Sequence, residues 1–221
     1  MIEVAWVGRV PYREMLERQR ARREAVIAGA ADEVLWMVEH PPVVTLGRRG
    51  GEAAEARRAG LDVVETERGG LATWHGPGQL VGYPIVRAAA RGWAVKDVVA
   101  GVEDGLVGWL AGVGIQAARR EGCPGVWVGD AKIASIGMHF RHGVSMHGFS
   151  LNLSLGDGAF AGIAPCGVAS CPIASVEALS GRRLAPEDVA IEVGERALAA
   201  IVARSLDGRR GPRYVPGAEG M

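Results

Sequence analysis

Cys166 lies between Pro165 and Gly167 in the stretch IAPCGVASC, and a second thiol, Cys171, follows five positions later. Proline stiffens the approach to the sulfur and glycine leaves room beside it, so this thiol could be presented on a turn as a nucleophile. A free thiol titrates near ~8.5, and such a nucleophile needs a cationic or basic neighbour to hold its thiolate. The competing reading is a buried apolar thiol, a common fate of free cysteine. Cys166 and Cys171 do not form a C-x-x-C pair, so neither a redox couple nor a structural zinc site has its usual spacing. Cys123 makes the count three, which leaves at least one thiol free, disfavours a disulfide framework and fits a reducing compartment.

Lysine is scarce: among 25 basic residues only Lys96 and Lys132 are lysines. Lys132 opens the apolar run KIASIGM, where a buried ammonium would need a reason and an ammonium in water at a strand end would need none. The other concentrated signal is RGGLATWHGPGQ, in which Gly69, Gly70, Gly76 and Gly78 surround His75. Such a loop could cradle a phosphate, line a narrow acyl slot with oxyanion-binding N–H groups, or simply make two tight turns. It matches neither standard glycine-rich phosphate motif. His139, His142 and His147 lie close in sequence, but His142 falls at a turn, and no metal is expected.

These residues need a scaffold. The segment from Tyr12 to Gly29 reads as an amphipathic helix carrying Tyr12, Met15, Leu16 and Val26 inward. Two apolar runs then flank Pro41-Pro42 as strand, turn and strand, and short strands dominate from Val34 to Val86. Val98, Val102, Leu106, Leu110 and Val113 recur at helical spacing, with Asp97 as the expected cap and glycines at 112 and 114 as the stop. A β-hairpin is expected about Arg141-His142-Gly143. A last helix starts at Pro186 with Val189, Val193, Ala197 and Ile201 on one face, and residues 209–221 read as a loose tail. Because strands and helices mix without β-α-β alternation, the fold class is α+β: a largely antiparallel or mixed sheet flanked by helices.

The 221 residues, 48% of them hydrophobic, fit a single domain spanning 1–221, although the part after Cys171 could form a small subdomain. Charge is balanced at 25 basic against 25 acidic residues, so no global field argues for nucleic acid or an anionic membrane. The start has no secretory pattern, and the uncharged run from Gly158 to Val176 holds two prolines and several glycines that lipid would not tolerate. A cytoplasmic protein is expected. The arginine doublets at 48–49, 57–58, 119–120 and 182–183 read mostly as solvated faces.

Five segments in order, EHPPVVTLGRRG, RGGLATWHGPGQLVGYPI, GVWVGDAKIASIGMHF, HGFSLNL and APCGV, resemble the octanoyltransferases of lipoate synthesis, over about Val34 to Leu179. The resemblance implies the fold of lipoate and biotin protein ligases. It also implies transfer of an octanoyl group from octanoyl-acyl carrier protein to a lysine of lipoyl domains, those of 2-oxoacid dehydrogenase complexes and the glycine cleavage H protein. By the same resemblance Cys166 is the nucleophile and Lys132 its partner. Substrate-binding positions carry over to Arg68, Gly69, Gly70, Leu71, Ala72, Thr73, Trp74 and His75, to Ser135, Ile136 and Gly137, and to Gly148, Phe149 and Ser150. Small residues at Gly70, Gly137 and Gly148 are expected to make room for the acyl chain. No cofactor is implied, since the amide product is more stable than a thioester. An ATP-dependent lipoate or biotin ligase of the same fold is the alternative. Trp74 stands where the family commonly has tyrosine, and Cys171 is additional.

Overall fold

The computed structural model describes residues 2–50, 53–161, 163 and 171–206. Cys166 and the expected tail lie outside the described residues. The chain runs through β1 (Glu3–Arg9), α1 (Tyr12–Ile27), β2 (Val34–Glu39), β3 (Val43–Leu46), α2 (Ala54–Arg58), β4 (Asp62–Glu65), β5 (Thr73–His75) and β6 (Gln79–Ile85). It continues through α3 (Val95–Gly112), β7 (Ala118–Arg119), β8 (Gly125–Val128), β9 (Ala131–Arg141), β10 (Val144–Asn152), α4 (Val176–Ser180) and α5 (Pro186–Leu206). Seven strands form one sheet in the order β1-β2-β6-β10-β9-β8-β7, and three form a second in the order β4-β3-β5. In each sheet one pair is parallel, β1 with β2 and β3 with β4, and the others are antiparallel. The α+β class read from the sequence is the class observed.

The hairpin between β9 and β10 turns where expected. Val144 pairs with Arg141, and the two residues between them, His142 and Gly143, both have positive φ, 47° and 75°. That is what a two-residue turn matching the sheet twist demands. Pro41-Pro42 separates two strands as the sequence implies, and those strands enter different sheets. β1 went unread, and so did α2.

One core lies under α3 and α5. Val98, Val102, Leu106 and Leu110 meet Val193, Ala197 and Ile201 over Leu35, Met37, Phe149 and Leu151. The helices approach closely because a Cβ on Gly105 would stand only 2.6 Å from the Ala197 Cα. A Cβ on Gly194 of α5 would likewise press on Val4 and Leu35, so this helix packs closely against the main sheet. At the start of α3 the cap is Ala94, and Asp97 sits one turn inside, accepting the Ala94 N–H at 3.2 Å. Asp97 therefore serves as the returning half of a cap rather than as the cap itself. Among the described residues no helix is long and apolar enough to cross a membrane.

Helix α1 covers another part of the large sheet, through Met15 on Val38, Val81 and Tyr83. It also buries Gln19, whose side-chain oxygen accepts the His147 backbone N–H at 3.0 Å. That donor belongs to a residue at φ 59°, an uncommon conformation for a side-chain-bearing residue inside a strand. The small sheet has its own cluster, in which Trp74 packs with Phe160 and Ile163.

Candidate active site

Where the two sheets meet there is a cavity of about 310 Å³. The loop from Arg68 to Ala72 forms one wall with Thr73 and His75 of β5, and Ser135–Met138 of β9 and His147–Ser150 of β10 form another. Every substrate-binding position carried over from the family lines it, apart from Trp74. The reason is strand alternation: Thr73 and His75 face the cavity, and Trp74 between them turns into the small-sheet cluster. Tyr12, Tyr83, Val95, Val99 and Cys123 also line the cavity and had no signal of their own in the sequence.

Lys132 is buried and reaches the cavity, so the reading of an ammonium in water at a strand end is set aside. Its Nζ lies 5.2 Å from the centre of the Trp127 ring, and the same ring takes the Arg120 guanidinium at 4.2 Å. Gly125 makes the passage for this side chain, since a Cβ there would stand 2.5 Å from the Lys132 Cε. The Gly125 N–H is held by the buried Glu103 carboxylate at 2.9 Å. On the other side of Lys132 the backbone is clasped. Its N–H donates to Pro172 O at 2.8 Å, and its carbonyl accepts from Ala174 at 2.9 Å. The chain leaving the Cys166 segment is thus paired to the lysine's own backbone.

Arg68 is nearly buried, and its guanidinium is spent on the protein. It donates to Thr45 Oγ1 and O, to Leu71 O at 2.7 Å and to Gly69 O at 3.0 Å, which shapes the loop that bears the next four positions. Burial pushes its pKa down, and among the described residues no carboxylate pairs with it, so a fixed positive charge stands at the cavity wall. Of the three glycines expected to make room, Gly137 and Gly148 behave otherwise. A Cβ on Gly137 would meet Gly69 O at 2.7 Å, and one on Gly148 would collide with the Gly82 carbonyl. They admit neighbouring backbone rather than an acyl chain, and a leucine at 137 would break the junction of loop and strand before it filled a slot.

The histidines part company. His139 meets Arg23 at 3.1 Å, His142 is exposed at the hairpin turn, and His147 is buried with its Nε2 3.5 Å from Glu67. Burial pushes His147 down, with Glu67 opposing. The Thr73 hydroxyl and the His147 Nδ1 are buried without a hydrogen-bond partner among the described residues, whereas the His147 Nε2 faces Glu67. His40 and His75 are more firmly held. His40 Nδ1 meets Val10 O and its Nε2 meets the Tyr83 hydroxyl, each at 2.7 Å. His75 stacks on Tyr12 with ring centres 5.7 Å apart and its Nδ1 meets Gln79 Oε1 at 2.7 Å. Burial drives the two imidazoles down to about 4 and about 3, so both are neutral near pH 7.

With this geometry in place, comparison with known proteins gives a consistent picture. Residues 11–197 match the family model of the lipoyl protein ligase A/B catalytic domain. An octanoyltransferase of Clavibacter sepedonicus is 44% identical over 192 residues, covering 81% of this chain and 81% of its own. Another, from Mycolicibacterium gilvum, is 41% identical over 214 residues, covering 94% of this chain and 87% of its own. A solved lipoate-protein ligase A bound with ATP shares the fold at a TM-score of 0.65 and 16% identity, over 93% of this chain and 85% of that one. A biotin protein ligase from Aquifex aeolicus, in complex with biotin and ATP, shares it at 0.54 and 10% identity, over 93% and 73%.

Proposed function

The chain belongs to the lipoyl protein ligase A/B catalytic family and is an acyltransferase akin to octanoyltransferases, and from that premise we propose that it moves an octanoyl group from octanoyl-acyl carrier protein to a lysine of lipoyl domains through a Cys166 thioester. The acceptors are the lipoyl domains of 2-oxoacid dehydrogenase complexes and the glycine cleavage H protein, and the work is cytoplasmic. The observation that carries the reading is Lys132: a rare lysine, buried at the cavity wall, with its backbone paired to Pro172 and Ala174. Only six positions, 172 − 166, separate that pairing from Cys166.

In the first half the Lys132 ammonium favours the Cys166 thiolate, which attacks the carrier thioester carbonyl. A new C–S bond forms, the old one breaks, and Lys132 gives its proton to the departing carrier thiolate. In the second half the neutral amine of the lipoyl-domain lysine attacks the acyl-enzyme. Neutral Lys132 takes the amine proton, Cys166 leaves as thiolate, and the amide is formed. Positive charge from Arg68 and the free Thr73 hydroxyl at the cavity wall suit an oxyanion. The cavity is at the small end of ligand sites, which suits a medium-length chain; each methylene lost from the acyl chain should cost about fourfold in kcat/KM.

Intact-mass measurement with octanoyl-acyl carrier protein and no ATP tests this reading. The expected result is an octanoyl adduct labile to hydroxylamine, present in Cys171→Ser, absent in Cys166→Ser, and discharged on adding lipoyl domain. A protein that forms no adduct and acylates the domain only from free octanoate and ATP would be a ligase instead.

A further inference from the structure

Behind the cavity wall runs a hydrogen-bonded chain whose direction can be read link by link. It begins at the Ala174 carbonyl, whose own N–H donates to Lys132 O. Asn152 Nδ2 donates to Ala174 O at 3.0 Å, and Asn152 Oδ1 accepts from Gln79 Nε2 at 3.0 Å. Gln79 Oε1 then faces His75 Nδ1 at 2.7 Å. All three side chains are buried.

A backbone carbonyl can only accept, so the Asn152 amide must present its NH₂ to Ala174 and its oxygen to Gln79. The same logic turns the Gln79 amide so that its oxygen meets His75. Reversing the chain would press the Asn152 oxygen against the Ala174 oxygen at hydrogen-bond distance. His75 Nδ1 must therefore carry a proton. A neutral imidazole has only one N–H, so Nε2 is bare. The ring lines the cavity, and with Nδ1 engaged at Gln79 the Nε2 edge is what it offers there. Its plane is set by Tyr12 stacked on it and by the edge of His40, 5.9 Å away between ring centres.

We propose that Gln79 and Asn152 are positioning residues that lock His75 in the Nδ1–H tautomer, so that its Nε2 accepts a hydrogen bond from the amine of the incoming lipoyl-domain lysine. This rests on the acyl-transfer reading and deepens it. The acyl carbonyl and the oxyanion derived from it require donors, and a bare nitrogen serves neither. The attacking amine brings N–H bonds. Holding one of them on Nε2 leaves the nitrogen lone pair free to be aimed at the acyl carbon, while the proton finally released goes to Lys132 as above. Since the far end of the chain is bonded to Ala174, and Ala174 to Lys132, the acceptor and the base are set against one another by a continuous set of bonds.

Two measurements on the full chain decide this. Long-range nitrogen NMR of protein labelled in its five histidines, with His75 assigned by the signal lost in His75→Asn, should show a protonated Nδ1 and a pyridine-like Nε2. A protonated Nε2 in the wild-type protein would overturn the lock without any variant having to fold. In Gln79→Met, a mixture of tautomers is expected, with acylation of Cys166 within about twofold of wild type and discharge to lipoyl domain slowed about tenfold, the worth of one oriented hydrogen bond. Equal slowing of both halves would also overturn the proposal. A wild-type protein that never acylates Cys166 would sink the transferase reading and the amine-binding role with it, while the NMR result would still decide the tautomer.

Discussion

The two sides of this molecule are built from different materials. Under α3 and α5 the core is hydrocarbon from Val98 to Ile201, with glycines letting the helices touch. Between the two sheets the buried layer holds Arg68, His75, Gln79, His147, Ser150 and Asn152, and its order comes from directed hydrogen bonds. Apolar packing tolerates small shifts of any one contact, because each contributes little and none has a direction. A buried polar chain has no such tolerance, because each unmade bond leaves a desolvated group behind. The difference teaches where stability and where orientation are invested: the helical side holds the sheet in shape, and the polar side fixes which atoms face the cavity.

Mutation of the helical side gives the largest expected effect on stability. Leu106→Ala should lower the unfolding free energy by about 4 kcal/mol in urea titrations, through lost transfer energy and the cavity left among well-packed neighbours. Its KM for the proposed carrier substrate should stay unchanged at a temperature where the variant is folded. If KM rose while stability barely moved, the division between the two sides would be wrong.

Acid should strike the polar side next. His40 and His75 titrate from 6.5 when exposed, and at about 4 and about 3 when folded, so the unfolded chain takes up protons first. Their contribution to stability is complete above about pH 6.5, begins to be lost below it, and goes on falling until the folded values are reached. Between pH 7.5 and 5.5 the two together should cost about 3 kcal/mol. His147 adds to the loss, and Glu103, whose carboxyl is pushed up by burial, offsets part of it. Glu33 and Asp62 are pushed down, by burial-opposed bonds to Arg91 and by Arg13 respectively, so their loss belongs to lower pH. Unfolding free energies that are flat across this window would mean that the imidazoles are not held neutral by burial.

How much of this was legible follows from the same contrast. Periodicity exposes a face that is apolar along its whole length, which is why α3, α5 and the inward side of α1 were readable from residue spacing. The hairpin was readable because positive φ at Gly143 leaves a mark in residue type. Strand partners were not: the runs on either side of Pro41-Pro42 look alike, and nothing local assigns them to two sheets. Gln79 and Asn152 were invisible because one amide in an apolar strand has no pattern, and its meaning depends on residues 73 positions apart. Glycines misled for a related reason. Sequence shows that space is needed at Gly137 and Gly148 but not that the Gly69 and Gly82 carbonyls fill it.

The smallest predicted effect tests where the two sides are joined. Ile163, before the Cys166 segment, packs in the small-sheet cluster with Trp74, whereas Ala174 and Val176, after it, belong to the core under α3 and α5. Ser175 caps α4 by accepting the Ala178 N–H at 3.2 Å, and so ties that second flank down. Ser175→Ala should cost about 1 kcal/mol in unfolding free energy. If the flank is held chiefly by apolar burial of Val176 and by the Lys132 pairing, acylation of Cys166 should change by less than about twofold, within the effect of one lost cap on a local equilibrium. A tenfold loss of acylation at that modest cost in stability would show instead that the cap orients the segment, and that directed bonds govern the join as they govern the polar side.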